Sequence, residues 1–240
     1  MSEVLHAVAG GVATLTLNRP ESRNALNLEM CDRIISVSRE IHSNKEIRLV
    51  LIRANGSVFC AGADLKEREG MNEGQVRERR MKGFAAYAAL EGLPMPTIAV
   101  VQGPAVGSGC EIAGACDFIV ATPEASFRTP EALRGSVGAT QRLPRILGKR
   151  LAKDLMFTGR TLSAEEAREA GLVARLVSAF ELEEVLSEIT AEILKTPQTA
   201  LRLAKRCIDR GVELDPQGAL DTEIAAIEEQ LAAGSWMGRK

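Results

Sequence analysis

The chain has 240 residues, 45% apolar and 26% charged, which suits one large buried core or a core with a helical extension. A formal charge of -2 gives no broad electrostatic reason to bind nucleic acid or an anionic membrane. Five scattered cysteines (Cys31, Cys60, Cys110, Cys116, Cys207), with no CxxC pair and only His6 and His42 beside them, argue against a disulfide framework or a metal site and read as free thiols. The first residues are not signal-like, no run is long enough to span a bilayer, and the expected location is cytoplasmic.

In chain order, Val4 to Val8 leads through Ala9-Gly10-Gly11 into a segment where Ala13, Leu15 and Leu17 alternate with Thr14 and Thr16, a hairpin pattern ended by Asn18-Arg19-Pro20. Asn27 is placed to cap a helix carrying Met30, Ile34, Val37 and Ile41 on one face. Leu49 to Ile52, Thr97 to Val101 and Phe118 to Ala121 are continuous apolar runs, expected for strands buried on both faces of a mostly parallel sheet. Charged helical segments between them point to an α/β layer fold. After about Gly148 the pattern turns helical. Ser163 and Glu166 form a capping box with a stop at Gly171, Phe180 to Lys195 is amphipathic, Gln198 to Arg210 closes at Gly211, and Asp215-Pro216 starts a last helix.

Three segments are candidates for chemistry. Val100 to Ala113 runs from a buried strand through a glycine-rich turn into a small-residue helix, whose first N–H groups can stabilise negative charge. A dinucleotide fingerprint would need glycine at Ile112, and a nucleophile elbow at Ser108 would need glycine at Val106 and Cys110. An oxyanion site for a thioester remains, beside the plainer reading of a turn that packs a helix on a sheet. Glu111, in the first turn of that apolar helix, either caps it or serves a pocket. Val58 to Lys66 follows a buried strand and opens onto a charged helix. Phe127 to Gly135 places Glu131 just after Pro130, at the start of a short helix.

Taken in order, these segments resemble the crotonase (enoyl-CoA hydratase/isomerase) superfamily. The matching features are Asn18-Arg19-Pro20 with Asn24-Ala25-Leu26, Phe59 to Lys66, Pro96 to Ala99, Gly103 to Glu111, Cys116-Asp117, Pro130-Glu131, Thr140 to Arg145, and Ala167 with Gly171-Leu172-Val173. No single motif decides the match; the ordered set does. Within the family the chain is most similar to hydratases of the methylglutaconyl-CoA (AU-RNA-binding) type, through Ala63 to Arg68 and Leu201 to Arg210.

The resemblance implies an α/β fold: a spiral of ββα units over residues 1–180 holding an acyl-CoA site, then a shortened helical trimerisation region over 181–240. It implies a homotrimer or dimer of trimers, and no metal or other cofactor, coenzyme A being part of the thioester substrate. By family pattern Glu111 and Glu131 are the catalytic pair, and the backbone N–H groups of Ala63 and Ser108 form the oxyanion hole. Arg23, Ala25, Ala61, Asp64, Leu65, Lys66 and Gly107 lie along the substrate. The implied reaction is syn addition of water to a 2-enoyl-CoA. Δ3-Δ2 enoyl-CoA isomerisation, thioester hydrolysis and decarboxylation are the enzymatic alternatives, and RNA binding or an assembly role is the non-enzymatic one. The basic run Arg77 to Lys82 is expected to be a solvated helix face. Three departures stand out: Ser108 replaces the usual middle glycine, the loop Gly135 to Thr140 is short, and the chain stops at Trp236-Met237-Gly238-Arg239-Lys240, before the helical tail common in relatives.

Overall fold

A computed structural model describes residues 2–234. Strands β1 (Val4–Ala9) and β2 (Val12–Leu17) pair antiparallel around Gly10 and Gly11, whose φ of 55° and 83° suit a two-residue hairpin turn. Ala13, Leu15 and Leu17 face the core as the alternation predicts. Helix α1 (Leu28–Ser43) is capped by the Asn27 carboxamide, which accepts from Met30 N–H at 2.9 Å, and it buries Met30, Ile34, Val37 and Ile41.

The chain then repeats one plan. A strand enters a large sheet, a short extended segment crosses to a second layer, and a helix returns. The large-sheet strands are β3 (Leu49–Ala54), β4 (Thr97–Val101), β6 (Phe118–Ala121) and β9 (Arg175–Leu176), giving the order β1-β2-β3-β4-β6-β9, parallel after the hairpin. The second layer holds β5 (Pro104–Val106), β7 (Ser126–Arg128) and β8 (Thr161–Ser163), extended by parallel bridges Leu26–Ala63 and Cys60–Ala105. Successive turns thus set Leu26 beside Ala63, and Cys60, Ala105 and Phe127 side by side, a spiral of ββα units. Helices α2 (Glu73–Glu91), α3 (Ser108–Gly114), α4 (Arg142–Thr158, broken at Gly148) and α5 (Ala164–Glu169) complete it.

Both faces of the central strands β3, β4 and β6 are covered, which is why their apolar runs are continuous. One face packs on the main core. On the other, Leu49, Leu51, Ile98, Val100 and Val120 meet Leu182, Leu186 and Ile189 of α6 (Leu182–Lys195). That helix starts two residues after Phe180, whose side chain is 97% exposed, so Phe180 is not part of the amphipathic face. Helices α7 (Gln198–Gly211) and α8 (Pro216–Ala232) follow, with Asp215 accepting from Gln217 and Gly218 N–H at 3.0 Å. Trp236 to Lys240 lie outside the described residues.

Two expectations are corrected. The segment after Lys66 is a series of turns, and α2 begins only at Glu73, where Asn72 and Gln75 form a capping box. The run Arg77 to Lys82 is not simply a solvated face. Arg79 is buried, donating to Glu67 Oε2 at 2.8 Å and to the Leu26 carbonyl. Arg80 donates to Ser136 Oγ and, at 2.9 Å, to the Val137 carbonyl, and Lys82 pairs with Asp32 at 2.6 Å. Helical period placed these charges toward α1 and the 135–140 loop rather than toward water.

Candidate active site

Segment 60–63 and the β5–α3 turn lie against each other because glycines let their backbones approach. Cys60 N–H donates to the Pro104 carbonyl at 3.2 Å and Val106 N–H to the Cys60 carbonyl at 2.8 Å. A side chain at Gly109 would put its Cβ 2.5 Å from the Cys60 carbonyl oxygen. Gly107 makes the turn itself, with φ 51° and ψ -106°, a conformation outside the regions open to other residues. Ser108 is the first residue of α3 and carries no positive φ, so serine sits there without strain. Among the described residues neither the Ala63 N–H nor the Ser108 N–H has an acceptor, and both residues line one cavity of about 630 Å³. Two unpaired N–H donors on its wall are an anion-accepting feature.

Ala61, Leu65, Gly107, Glu111 and Glu131 line the same cavity, together with Tyr87 of α2 and the 135–139 loop. Four further predicted residues do not. The Arg23 carbonyl accepts from Ala61 N–H at 3.0 Å, and Arg23 and Lys66 side chains are exposed. Arg19 donates to the Ala25 carbonyl at 2.7 Å and to Asp64 at 3.1 Å, and Asp64 also accepts from Lys66 N–H at 3.0 Å. These residues support or flank the cavity wall instead of facing inward.

The two glutamates differ in environment. Glu111 is 7% exposed and makes no helix cap; its Oε2 accepts from Arg142 Nη1 at 2.6 Å. Glu131 follows Pro130 and precedes a single 3-10 turn, Ala132–Arg134. Its Oε2 is buried with no hydrogen-bond partner among the described residues, and its other oxygen would be 2.5 Å from a Cβ at Gly107. Gly138 closes on it from the loop side, where a Cβ would meet its Cγ at 3.0 Å. Burial pushes the Glu131 carboxyl above the usual carboxylate range, and the negative charge of Glu111 adds to this against the opposing pull of Arg134 and Arg80.

A carboxyl raised in this way favours the folded state below the ordinary carboxylate pKa, and that contribution is lost as pH rises through its raised value. Glu131→Gln is therefore expected to raise the melting temperature at neutral and alkaline pH, the gain fading as the pH falls below the carboxylate range. Scanning calorimetry across pH checks this; an equal or lower melting temperature at alkaline pH contradicts it.

Arg142 lies within the Thr140 to Arg145 motif, where its sequence setting assigns it no role. The signal was there in part: a carboxylate expected to be buried in an apolar helix needs a cation, but nothing local says which. Tyr87, whose ring packs edge-on to Phe84 at 6.3 Å between centroids, was likewise missed. Among the described residues no cluster of three or more His, Cys, Asp or Glu side chains is arranged for a metal ion, and no helix is long and apolar enough to cross a membrane.

Residues 7–235 match the family model described as enoyl-CoA hydratase/isomerase. The short-chain-enoyl-CoA hydratase of Clostridium acetobutylicum is 37% identical over 233 residues, covering 95% of this chain and 89% of that protein. Among solved structures, the enoyl-CoA hydratase from Bacillus anthracis superposes with a TM-score of 0.91 at 38% identity, over 94% of this chain and 90% of that one. A Thermobifida fusca YX structure in complex with acetoacetyl-CoA superposes with a TM-score of 0.88 at 26% identity, over 97% and 96% of the two chains.

Proposed function

The chain belongs to the enoyl-CoA hydratase/isomerase family, and on that premise we propose that it is a hydratase, adding water across the 2,3 double bond of a 2-enoyl-CoA thioester. The observation that carries this reading is a cavity holding two carboxyl groups in unlike environments beside two free backbone N–H donors. Acyl-CoA as the substrate class is further supported by the relative that binds acetoacetyl-CoA.

In this reading the thioester carbonyl accepts from the N–H groups of Ala63 and Ser108. Glu111 takes a proton from water as the water oxygen bonds to the β-carbon. The π electrons pass to the carbonyl as an enolate, which takes a proton at the α-carbon from Glu131. Oxyanion donors of this kind are worth about 2.7–4 kcal/mol each, and positioned acid or base groups contribute roughly 10²–10⁴-fold. No metal or redox partner is required for these steps. The exposed cations Arg23 and Lys66, with Ala25 and Asp64, flank the Ala61 to Ala63 wall where the coenzyme A portion would leave the cavity. A trimer or dimer of trimers is the assembly proposed, supported by exposed Ile208, Val212, Ile224 and Ile227 on α7, α8 and their connection.

The test is incubation with crotonyl-CoA in 18O-labelled water and, separately, with a 3-enoyl-CoA, both read by mass spectrometry. Labelled 3-hydroxybutyryl-CoA is expected. Shift of the double bond from the 3-enoyl substrate with no gain of water from either would replace the proposal with isomerisation, and free coenzyme A as the product would replace it with hydrolysis.

A further inference from the structure

Glu111 and Glu131 share a cavity but not a counter-ion. Arg142, in the first turn of α4, donates to Glu111 Oε2 at 2.6 Å through Nη1. The same guanidinium is anchored at its other edge by Glu91, at the end of α2, through Nη2 at 2.6 Å and Nε at 3.1 Å. Its central carbon sits 5.8 Å from the Tyr87 ring centroid, and the Tyr87 hydroxyl in turn meets the Ser108 side chain. Arg142 itself does not line the cavity. A guanidinium stays charged at any pH the protein meets, and its planar fork fixes the oxygens it holds. Among the described residues the titratable groups around Glu111 are Tyr87 from α2, Arg142 from α4 with Glu91 on its far edge, Glu131 after β7 and the Cys110 thiol beside it on α3. Of these only Arg142 is a cation.

We propose that Arg142 is a positioning residue that holds Glu111 as the ionised member of the carboxyl pair, so that the shared proton resides on Glu131 when substrate arrives. The inference rests on the hydratase reading for its consequence. After one turnover of that reading Glu111 carries the proton taken from water and Glu131 is ionised. That state leaves Arg142 facing a neutral Glu111 and puts a charge on the carboxyl whose Oε2 is buried with no partner among the described residues. The proton therefore passes from Glu111 back to Glu131, directly or through a water molecule, and the resting pair is restored with no atom gained or lost.

Wild type, Arg142→Gln and Arg142→Lys provide the test, with two readouts. The first is the infrared carboxylate band of Glu111 in the ligand-free protein at neutral pH, assigned by its absence in Glu111→Gln. Loss of the guanidinium is expected to shift that band or replace it with a protonated-carboxyl band in Arg142→Gln, and Arg142→Lys, which keeps the charge without the fork, should restore it only in part. The second is kcat against pH for crotonyl-CoA. In Arg142→Gln the acidic limb should move upward and kcat should fall by about tenfold or more, while KM and the affinity for inert butyryl-CoA stay within about threefold. A Glu111 band unchanged in Arg142→Gln overturns the proposal whether or not the protein turns over; inactivity toward enoyl thioesters with an altered band overturns the functional reading alone. Should Arg142→Gln fail to fold, Arg142→Lys decides, because a lysine cannot hold Glu111 and Glu91 as a fork does: a lower kcat at unchanged butyryl-CoA affinity supports the role, and wild-type kcat and pH profile refute it.

Discussion

Glu131→Gln is expected to lower kcat for crotonyl-CoA by roughly 10²–10⁴-fold, the range that a positioned general acid contributes, with KM changed by no more than a few-fold. Glutamine keeps the shape of the side chain between Gly107 and Gly138 but cannot deliver the α-proton that the proposed mechanism takes from Glu131. In the proposed mechanism the thioester is held by the Ala63 and Ser108 N–H groups and the cavity walls, which the substitution leaves in place. Glu111→Gln should lose turnover by a similar factor, yet the two variants should part company in stability. Removing Glu111 leaves the Arg142 guanidinium, half-buried against Tyr87, with Glu91 as its remaining carboxylate, and a cation that loses a buried partner destabilises the fold. Replacing Glu131 instead removes a carboxyl whose ionisation burial opposes. Steady-state kinetics with calorimetry on both variants tests the pair, and turnover within about threefold of wild type in either would reject its assigned role.

Gly107→Ala is expected to reduce kcat by about 10²–10³-fold, comparable with loss of an oxyanion-hole donor. Two effects act together. The Cβ would lie 2.5 Å from a Glu131 carboxyl oxygen, and because that oxygen ends a side chain, Glu131 would move aside rather than the backbone. The φ and ψ at Gly107 also belong to glycine, so alanine would strain the turn that aims the Ser108 N–H, at a cost of about 1–3 kcal/mol. Gly109→Ala offers the contrast. Its Cβ would meet the Cys60 carbonyl at 2.5 Å, a backbone atom that cannot step away, so poor folding is expected ahead of any specific loss of activity. Kinetics and denaturation midpoints of the two variants separate these outcomes; full activity in Gly107→Ala would show that neither Glu131 nor the turn is placed as described.

Much of the fold was legible because its signals are local. The period-two pattern of β2, the apolar runs of β3, β4 and β6, the Asn27 cap and the Ser163–Glu166 box each depend on residues within one turn or strand, and each appears where expected. The short strands β5, β7 and β8 were not legible. Three residues carry no usable period, and those strands exist because the spiral lays Pro104 to Val106 beside Ser126 to Arg128. The start of α2 was also misplaced: the segment after Lys66 is charged like a helix surface, but it forms turns, and the helix begins only beyond the Asn72 cap.

For the site, the residue types and their order along the chain determined the family, the glycine turn and the two glutamates. Which residues meet in space was decided by tertiary structure. It set Ala61, Ala63, Leu65, Ser108, Glu111 and Glu131 around one cavity and left Arg23, Ala25, Asp64 and Lys66 behind or beside its wall. It also brought Arg142 to Glu111 across 31 positions of sequence and, with Glu91, joined α4 to α2 and α3. The physical reason is that a buried carboxylate requires compensation, while any cation the fold can carry to it will serve. Sequence states the requirement; packing chooses the partner.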